Sequence, residues 1–142
     1  MNNVTVCKKL TKNDLGLTGS HQAGICVPFP IMKLDFFPKL DSTLYNPRQE
    51  ISFLFSGKTV KFTLIYYNSK LFGAGTRNEY RLTGMSKFFR ENNCKECDLL
   101  EFHRVDGNYS IDIKHECSDN KIIEPDLDRP LIIRSDWAYR RN

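Results

Sequence analysis

Two apolar runs joined by a three-residue turn do most to restrict the fold of this chain. Residues 50–55 and 59–67 are rich in Phe, Ile, Val, Thr and Tyr, and they flank Ser56-Gly57-Lys58. β-Branched and aromatic residues favour strands, and a short glycine-containing connection between two such runs favours a β-hairpin. The sequence therefore predicts an antiparallel strand pair here.

Turn signals and short apolar runs continue along the rest of the chain, and they predict further strands and two short helices. The other predicted strands are 4–9, 24–27, 79–82, 99–105, 109–115 and 131–134, and the predicted helices are 31–37 and 86–92. About seven short strands with two short helices predict a mainly β protein, a barrel with helices at its ends. Composition and periodicity alone permit an OB-fold or a sandwich equally well.

Length and composition indicate one globular domain. The chain has 142 residues, of which 40% are hydrophobic and 27% charged. This is an ordinary size for a single domain, and no apolar run approaches the roughly 20 residues that cross a bilayer. No signal peptide is visible at the start, and an odd number of cysteines, five, argues for reduced thiols. We therefore expect a single domain over residues 1–142, located in the cytoplasm and without a membrane partner.

Charge is distributed unevenly, although the net charge of +4 is modest. Residues 1–93 carry 13 basic and 6 acidic side chains, whereas residues 94–128 carry 4 and 10. A basic region attracts phosphates and an acidic region is repelled by them, so this distribution favours a nucleic-acid partner that docks in one orientation. The alternative is that these blocks mix in space on folding and form only a solvated surface.

The stretch Arg77-Asn78-Glu79-Tyr80-Arg81 carries the clearest binding chemistry. Side chains alternate between the two faces of a strand, so the two arginines and the glutamate are expected to share one face. An arginine fork matches the paired acceptors of guanine in the major groove, and a carboxylate accepts a hydrogen bond from cytosine. The alternative interpretation is an ordinary surface strand in which Glu79 pairs with its arginine neighbours.

A second polar segment, residues 10–24, has glycines at positions 16, 19 and 24. Glycine lets backbone amides approach a phosphate closely, so this segment is also a candidate for contact with DNA. Asp14 would repel phosphate, and we expect it to cap the loop through nearby backbone amides instead.

Two motifs occur in a fixed order along the chain. The first consists of Leu10-Thr11, Asn13-Asp14, Gly16, Thr18-Gly19, His21-Gln22 and Gly24, and the second of Tyr66-Tyr67-Asn68-Ser69, Phe72-Gly73 and Thr76-Arg77-Asn78-Glu79. Together with Asp136-Trp137 near the end, these motifs resemble the N-terminal effector domains of EcoRII-type restriction endonucleases. The sequence departs from that pattern at three positions, where Cys26 replaces an aromatic residue, Gly75 a basic residue and Tyr80 a lysine.

The resemblance implies a B-three-like DNA-binding pseudobarrel that grips duplex DNA with two arms, residues 10–24 (the first arm) and residues 66–81 (the second arm). It implies recognition of CCWGG or a related G·C-rich site in the major groove, as the effector domain of a type II restriction endonuclease. It also implies that a separate C-terminal domain of a longer chain cuts DNA with Mg²⁺. No catalytic centre and no cofactor are then expected in this domain.

The expected DNA contacts divide into contacts to bases, which specify sequence, and contacts to the backbone, which position the protein. The base-reading residues are expected to be His21, Gln22, Arg77, Asn78, Glu79 and Arg81. The backbone contacts are expected to come from Lys12, Asn13, Thr18, Ser20, Tyr67, Lys70 and Tyr80. An alternative role for Asn78 is to brace the second arm.

Two other functions remain open from the sequence. Asp106 with Asp112 and Lys114 weakly resembles the metal-binding pattern of a small metal-dependent nuclease. Cys94 and Cys97 have the spacing of a zinc-binding pair and would make the chain a zinc-stabilised interaction module. The nuclease pattern is short and straddles a turn, and the cysteines lack a regular set of partner ligands, so DNA binding without catalysis is the preferred prediction.

Overall fold

Nine strands and two short α-helices make up the described part of the protein. The computed structural model describes residues 3–17, 24–115, 131–134 and 136–141, with side chains for all of these except 131–134 and 141. The strands are β1 (Val4–Lys9), β2 (Gly24–Val27), β3 (Arg48–Phe55), β4 (Lys58–Tyr67), β5 (Glu79–Thr83), β6 (Leu99–Val105), β7 (Asn108–Lys114), β8 (Leu131–Arg134) and β9 (Trp137–Arg141). The helices are α1 (Phe29–Met32) and α2 (Ser86–Glu91), with a 3₁₀-helix at Ser69–Phe72.

All nine strands belong to one curled sheet, in the order β2-β5-β4-β3-β7-β6-β1-β9-β8. The neighbouring strands pair antiparallel except β3 and β7, which meet in parallel at Leu54 and Ser110. The predicted hairpin at residues 50–67 is confirmed, because β3 and β4 pair from Arg48 with Ile65 to Phe55 with Lys58. The mainly β, barrel-like class with two short helices is confirmed as well.

The inner face of the sheet packs around aromatic side chains. The largest buried side chains are Trp137, Phe36, Phe37, Phe53 and Phe102, and each is at most 1% exposed. Phe102 on β6 packs against Phe53 on β3 and against Phe37, with ring centroids 5.8 and 6.2 Å apart. Burying each such side chain removes a large apolar area from water, so this core fixes the strands that carry the two arms.

The first short helix differs from the sequence prediction. The helix predicted at 31–37 is wrong in its bounds, because α1 begins at Phe29 and ends at Met32. Pro30 lies in the first turn, where its missing N–H is not needed, so it starts the helix instead of preceding it. Asp35 then adopts a φ of 60°, which stops the helix.

The last strand was missed by the sequence prediction. Strand β9 pairs with β1 from Val4 with Arg141 to Lys8 with Trp137. Its sequence, Trp-Ala-Tyr-Arg-Arg, is too short and too basic to show a clear alternation. The strand predicted at 109–115 lies one residue earlier, since Asn108 pairs with Val105 and closes the hairpin.

Within the described ranges, no helix combines the length and apolar character needed to cross a membrane.

Candidate nucleic-acid interface

Both arms lead into the same pair of strands. The first arm ends in β2 and the second arm ends in β5, and these strands pair from Gly24 with Thr83 to Val27 with Tyr80. The pairing is close, because a Cβ on Gly24 would lie only 2.6 Å from the carbonyl oxygen of Leu82 and the φ of Gly24 is +134°. Four residues of strand span about 10 Å, so the two arms leave opposite ends of a short, rigid ladder.

The second arm is a closed and internally hydrogen-bonded loop. After Tyr67 the chain forms the 3₁₀-helix and returns to Glu79, which pairs with Tyr67. The amide of Lys70 donates to the carbonyl of Arg77 at 3.0 Å, and the amide of Arg77 donates to Oγ of Ser69 at 3.2 Å. These bonds hold the two sides of the loop together, so the arm presents its side chains from a defined backbone.

A buried asparagine fixes the root of the second arm. Asn68 is fully buried and its Oδ1 accepts a hydrogen bond from the amide of Asn46 at 2.8 Å. The backbone amide of Asn68 donates to Oδ1 of Asn46 at 3.1 Å, and the side-chain Nδ2 of Asn68 donates to the carbonyl oxygen of Leu44 at 2.8 Å. One side chain therefore attaches the loop at residues 42–46 to the start of the arm. Apart from the position of Asn68 in the second motif, no sequence pattern indicated this role.

Replacing Asn68 by alanine is expected to lower the free energy of unfolding by about 1–3 kcal/mol, because backbone groups of Asn46 and Leu44 lose their partner in a poorly hydrated place. Urea unfolding followed by circular dichroism measures this change. Thr43→Ala in the same loop is the control, since Thr43 bonds only at the exposed surface and its loss should stay within about 0.5 kcal/mol. Equal losses in both variants would contradict the role assigned to Asn68.

The predicted triplet is assembled on one face of the second arm. Oε1 of Glu79 accepts from Nε and from a terminal nitrogen of Arg77, both at 3.2 Å. Oε2 accepts from a terminal nitrogen of Arg81, also at 3.2 Å. The side chains of Arg77 and Glu79 are 34% and 31% exposed, whereas that of Arg81 is 9% exposed. The alternation of strand side chains thus brought the three together, although the strand itself begins only at Glu79.

Tyr67 completes the surroundings of Arg77. The guanidinium carbon of Arg77 lies 3.7 Å from the centre of the Tyr67 ring. This stacking and the bonds to Glu79 fix the plane of the guanidinium. Burial alone would raise the pKa of Glu79, but the hydrogen bonds and charges of Arg81 and Arg77 hold that pKa below its ordinary value. The carboxylate is therefore ionised and acts as an acceptor at neutral pH.

Asn78 and Tyr80 lie on the opposite face of the arm from the triplet. The hydroxyl of Tyr66 donates to Oδ1 of Asn78 at 2.5 Å. Tyr80 stacks on Tyr66 with ring centroids 4.2 Å apart and packs against the core, and its edge meets Phe29. Asn78 is thus held in the way that its predicted role as a brace of the second arm requires. Tyr80 faces away from the triplet, so the structure does not bring Tyr80 and the triplet to one surface. Lys70 is exposed on the 3₁₀-helix.

Arg81 joins the two arms. Its second terminal nitrogen lies 3.5 Å from the carbonyl oxygen of Gly24, the last residue of the first arm. Of the residues predicted in the first arm, Lys12 and Asn13 are exposed. The other four, Thr18, Ser20, His21 and Gln22, lie outside the described residues. The connection through Arg81 places the described end of the first arm next to the triplet.

The capping role predicted for Asp14 is confirmed. Oδ2 of Asp14 accepts from the amide of Thr11 at 2.9 Å, and the amide of Asp14 donates to Oγ1 of Thr11 at 3.2 Å. The structure adds a partner that the sequence did not reveal, since Nζ of Lys8 lies 2.9 Å from Oδ2 of Asp14. Lys8 also forms an ion pair with Asp136, at the start of the segment that leads into β9. The root of the first arm is thereby tied to the barrel.

The residues of the two alternative functions are not assembled as those functions require. Asp106 lies in the turn between β6 and β7, five residues beyond Glu101, which is the residue that pairs with Asp112. The two carboxylates therefore lie at different points along the hairpin. Among the described residues, the set of side chains close enough to share a metal is Glu101, His103 and Asp112, and it includes neither Cys94 nor Cys97. Burial raises the pKa of the Cys94 thiol to about 11.

The sheet and its two arms define a barrel-like β domain of the kind expected from the two motifs. Residues 1–127 match the family described as Restriction endonuclease EcoRII, N-terminal, and the chain belongs to this family. One relative, the type II restriction enzyme EcoRII of Escherichia coli, is 39% identical over 80 residues, which are 54% of this chain. The aligned part is 19% of the relative, so the match spans only about a fifth of that enzyme's length.

Proposed function

We propose that this chain is a sequence-specific double-stranded DNA-binding domain that serves as the effector domain of a type II restriction endonuclease. Its two arms enter the major groove and recognise CCWGG or a related G·C-rich site. The observation that carries the proposal is the face formed by Arg77, Glu79 and Arg81, which presents the fork of Arg77 and a carboxylate on one arm, with Arg81 bonded to the same carboxylate. Family membership supports it independently.

Arg77 is the best-placed base reader. A guanidinium has five N–H donors, and Glu79 accepts from two of its nitrogens, so the fork retains donors for O6 and N7 of guanine. Stacking on Tyr67 holds its plane before DNA arrives, which lowers the entropy lost on binding. The partial exposure of Arg77 and Glu79 lets both reach a base edge.

Arg81 is less accessible to DNA than Arg77. Because its guanidinium is buried between Glu79 and Gly24, it can reach a base only by exchanging a protein partner for a guanine. We propose that this exchange couples the arms, with His21 and Gln22 of the first arm reading neighbouring base edges. Lys12, Asn13, Thr18 and Ser20 then hold phosphates on the first side, and Tyr67 and Lys70 hold the backbone on the second.

DNA cleavage then belongs to another part of a longer protein. The relative is about five times the length of the aligned region, which leaves room for a separate C-terminal catalytic domain that uses Mg²⁺. The domain itself then binds DNA and contributes no catalytic group. Incubating the purified chain with plasmid and Mg²⁺ should leave the plasmid intact, and cleavage that disappears in Asp112→Ala would favour the nuclease alternative.

Selection of bound duplexes from a randomised pool tests the proposed target. Recovery of a short site with two G·C pairs on each side of an A·T pair is the expected result. Recovery of unrelated sequences at equal frequency would contradict sequence-specific recognition. The same selection with Arg81→Ala should relax the preference for G·C at the positions that Arg81 reads.

Lys70→Ala tests the separation between backbone and base contacts. Lys70 is exposed on the 3₁₀-helix of the second arm and carries a point charge, so its loss should weaken binding to cognate and random duplexes by the same factor. The slope of the logarithm of affinity against the logarithm of salt concentration should fall in magnitude by about 0.9, as for one lost phosphate contact. Fluorescence anisotropy at several salt concentrations measures both quantities. An unchanged slope would remove Lys70 from the backbone contacts.

A further inference from the structure

A cluster of metal-ligating side chains lies on the outer face of the β6–β7 hairpin, and it includes none of the residues assigned to DNA. Glu101 and Asp112 are directly paired across the two strands, and His103 is two residues from Glu101 on the same face. The neighbouring residues Leu100, Phe102 and Ile111 point the other way, since all three are fully buried in the core. The strand register alone therefore brings two carboxylates and an imidazole together.

The spacing of the ligand atoms is that of a metal site. Nε2 of His103 lies 3.4 Å from Oδ2 of Asp112 and 3.7 Å from Oε1 of Glu101. The three ligand atoms all lie within 4.8 Å of one another. Ligands bound at 2.0–2.2 Å with tetrahedral angles are about 3.4 Å apart, so small side-chain adjustments admit a cation between them.

A third strand orients the imidazole. Nδ1 of His103 is 2.9 Å from Oγ1 of Thr5 on β1, and Thr5 is 2% exposed. When Nδ1 carries the proton and donates it to that hydroxyl, the lone pair of Nε2 faces the two carboxylates. Histidines that ligate metals are held in this way by a partner on the other ring nitrogen.

The neighbouring lysine does not compete for the same oxygen. Nζ of Lys114 lies 3.0 Å from Oε2 of Glu101, whereas Oε1 is the atom that faces His103. A cation bound through Oε1 can leave that ion pair in place. The charge of Lys114 also offsets part of the repulsion between the two carboxylates.

We propose that Glu101, His103 and Asp112 form a three-ligand site for a divalent cation of the zinc type. Imidazole with carboxylates suits Zn²⁺ and other first-row metals better than Mg²⁺ or Ca²⁺, which prefer oxygen ligands alone. Three protein ligands leave a fourth position for water. The cation would join β6 to β7 and, through Thr5, to β1. This site is independent of the proposed DNA contacts.

Titration of the untagged chain with Zn²⁺ against a chromophoric chelator tests the site, with circular dichroism to show that each variant is folded. We expect one Zn²⁺ per chain, a higher midpoint of thermal unfolding with Zn²⁺ than without, and no comparable effect of Mg²⁺. His103→Ala and Glu101→Gln should each weaken Zn²⁺ binding at least about 10-fold, and Thr5→Val should weaken it about 10- to 100-fold.

Two controls distinguish this site from other ligands. His115→Ala removes a second His–Asp pair, in which Nδ1 lies 2.7 Å from Oδ2 of Asp98, and should leave Zn²⁺ affinity unchanged. The double variant Cys94→Ser, Cys97→Ser should also bind Zn²⁺ as the parent chain does. Binding that is absent in the parent chain, that survives His103→Ala, or that is lost with the cysteines would overturn the proposal.

Discussion

Replacing Arg77 by alanine is expected to reduce the ratio of cognate to random duplex affinity by about 5- to 150-fold, which corresponds to the 1–3 kcal/mol carried by one bidentate arginine–guanine contact. The expectation follows from the geometry of the second arm. Glu79 and Tyr67 hold the guanidinium in one plane before DNA is present, so the fork does not have to be ordered on binding. Competition binding with a CCWGG duplex and a scrambled duplex at fixed salt measures the ratio.

Arg90→Ala is the matched control for Arg77→Ala. It removes the same charge from an exposed position at the end of α2, outside both arms. Charge loss alone should lower affinity for both duplexes by similar factors and leave their ratio unchanged. If Arg77→Ala behaved in the same way, Arg77 would be a phosphate contact or a surface ion pair with Glu79, which is the alternative that the sequence left open.

Local sequence patterns predicted the elements whose signal lies within a few residues. The β3–β4 hairpin was predicted because strand-forming residues flank a glycine turn, and its pairing is confirmed. The shared face of Arg77, Glu79 and Arg81 followed from the two-residue period of an extended chain. The bond network between them required no long-range information, since all three lie within five positions.

Contacts between distant segments could not be predicted in this way. Asn68 holds residues 42–46 through hydrogen bonds that join positions more than 20 residues apart. The burial of Arg81 depends on Gly24, which is 57 positions away. Strand β9 was missed because its stability comes from pairing with β1 at the other end of the chain. In each case the residue type allows several roles, and only the packing of the sheet selects one.

Both arms are anchored to the barrel at the residues that the structure describes. The second arm is held by Asn68 at its root and by its own hydrogen bonds, and the first arm is held through Asp14. Arg81 links the two through Gly24. Because binding costs the entropy of whatever must be ordered, the described residues that these contacts fix in advance retain more of their contact energy as affinity.

Replacing Lys8 by methionine is expected to lower the free energy of unfolding by about 3–5 kcal/mol, the usual effect of removing one partner from a buried ion pair. The side chains of Lys8 and Asp14 are only 3% and 7% exposed, so the carboxylate of Asp14 would lose its cationic partner in a poorly hydrated place. Asp136 would lose the same partner. Methionine has a similar volume, so the change tests the charge and not the packing.

Lys87→Met is the matched control for Lys8→Met, because Lys87 pairs with Glu91 at 3.8 Å and both side chains are more than 60% exposed. An exposed pair of this kind contributes little, so the loss should stay below about 1 kcal/mol. Urea unfolding of both variants in one buffer provides the comparison. A small loss for Lys8→Met would mean that Asp14 is held by the Thr11 amide alone, and the first arm would then be anchored locally and not by the barrel. A large loss accompanied by weaker binding to all duplexes would show that the barrel, through Lys8, keeps the first arm in the position from which it contacts DNA.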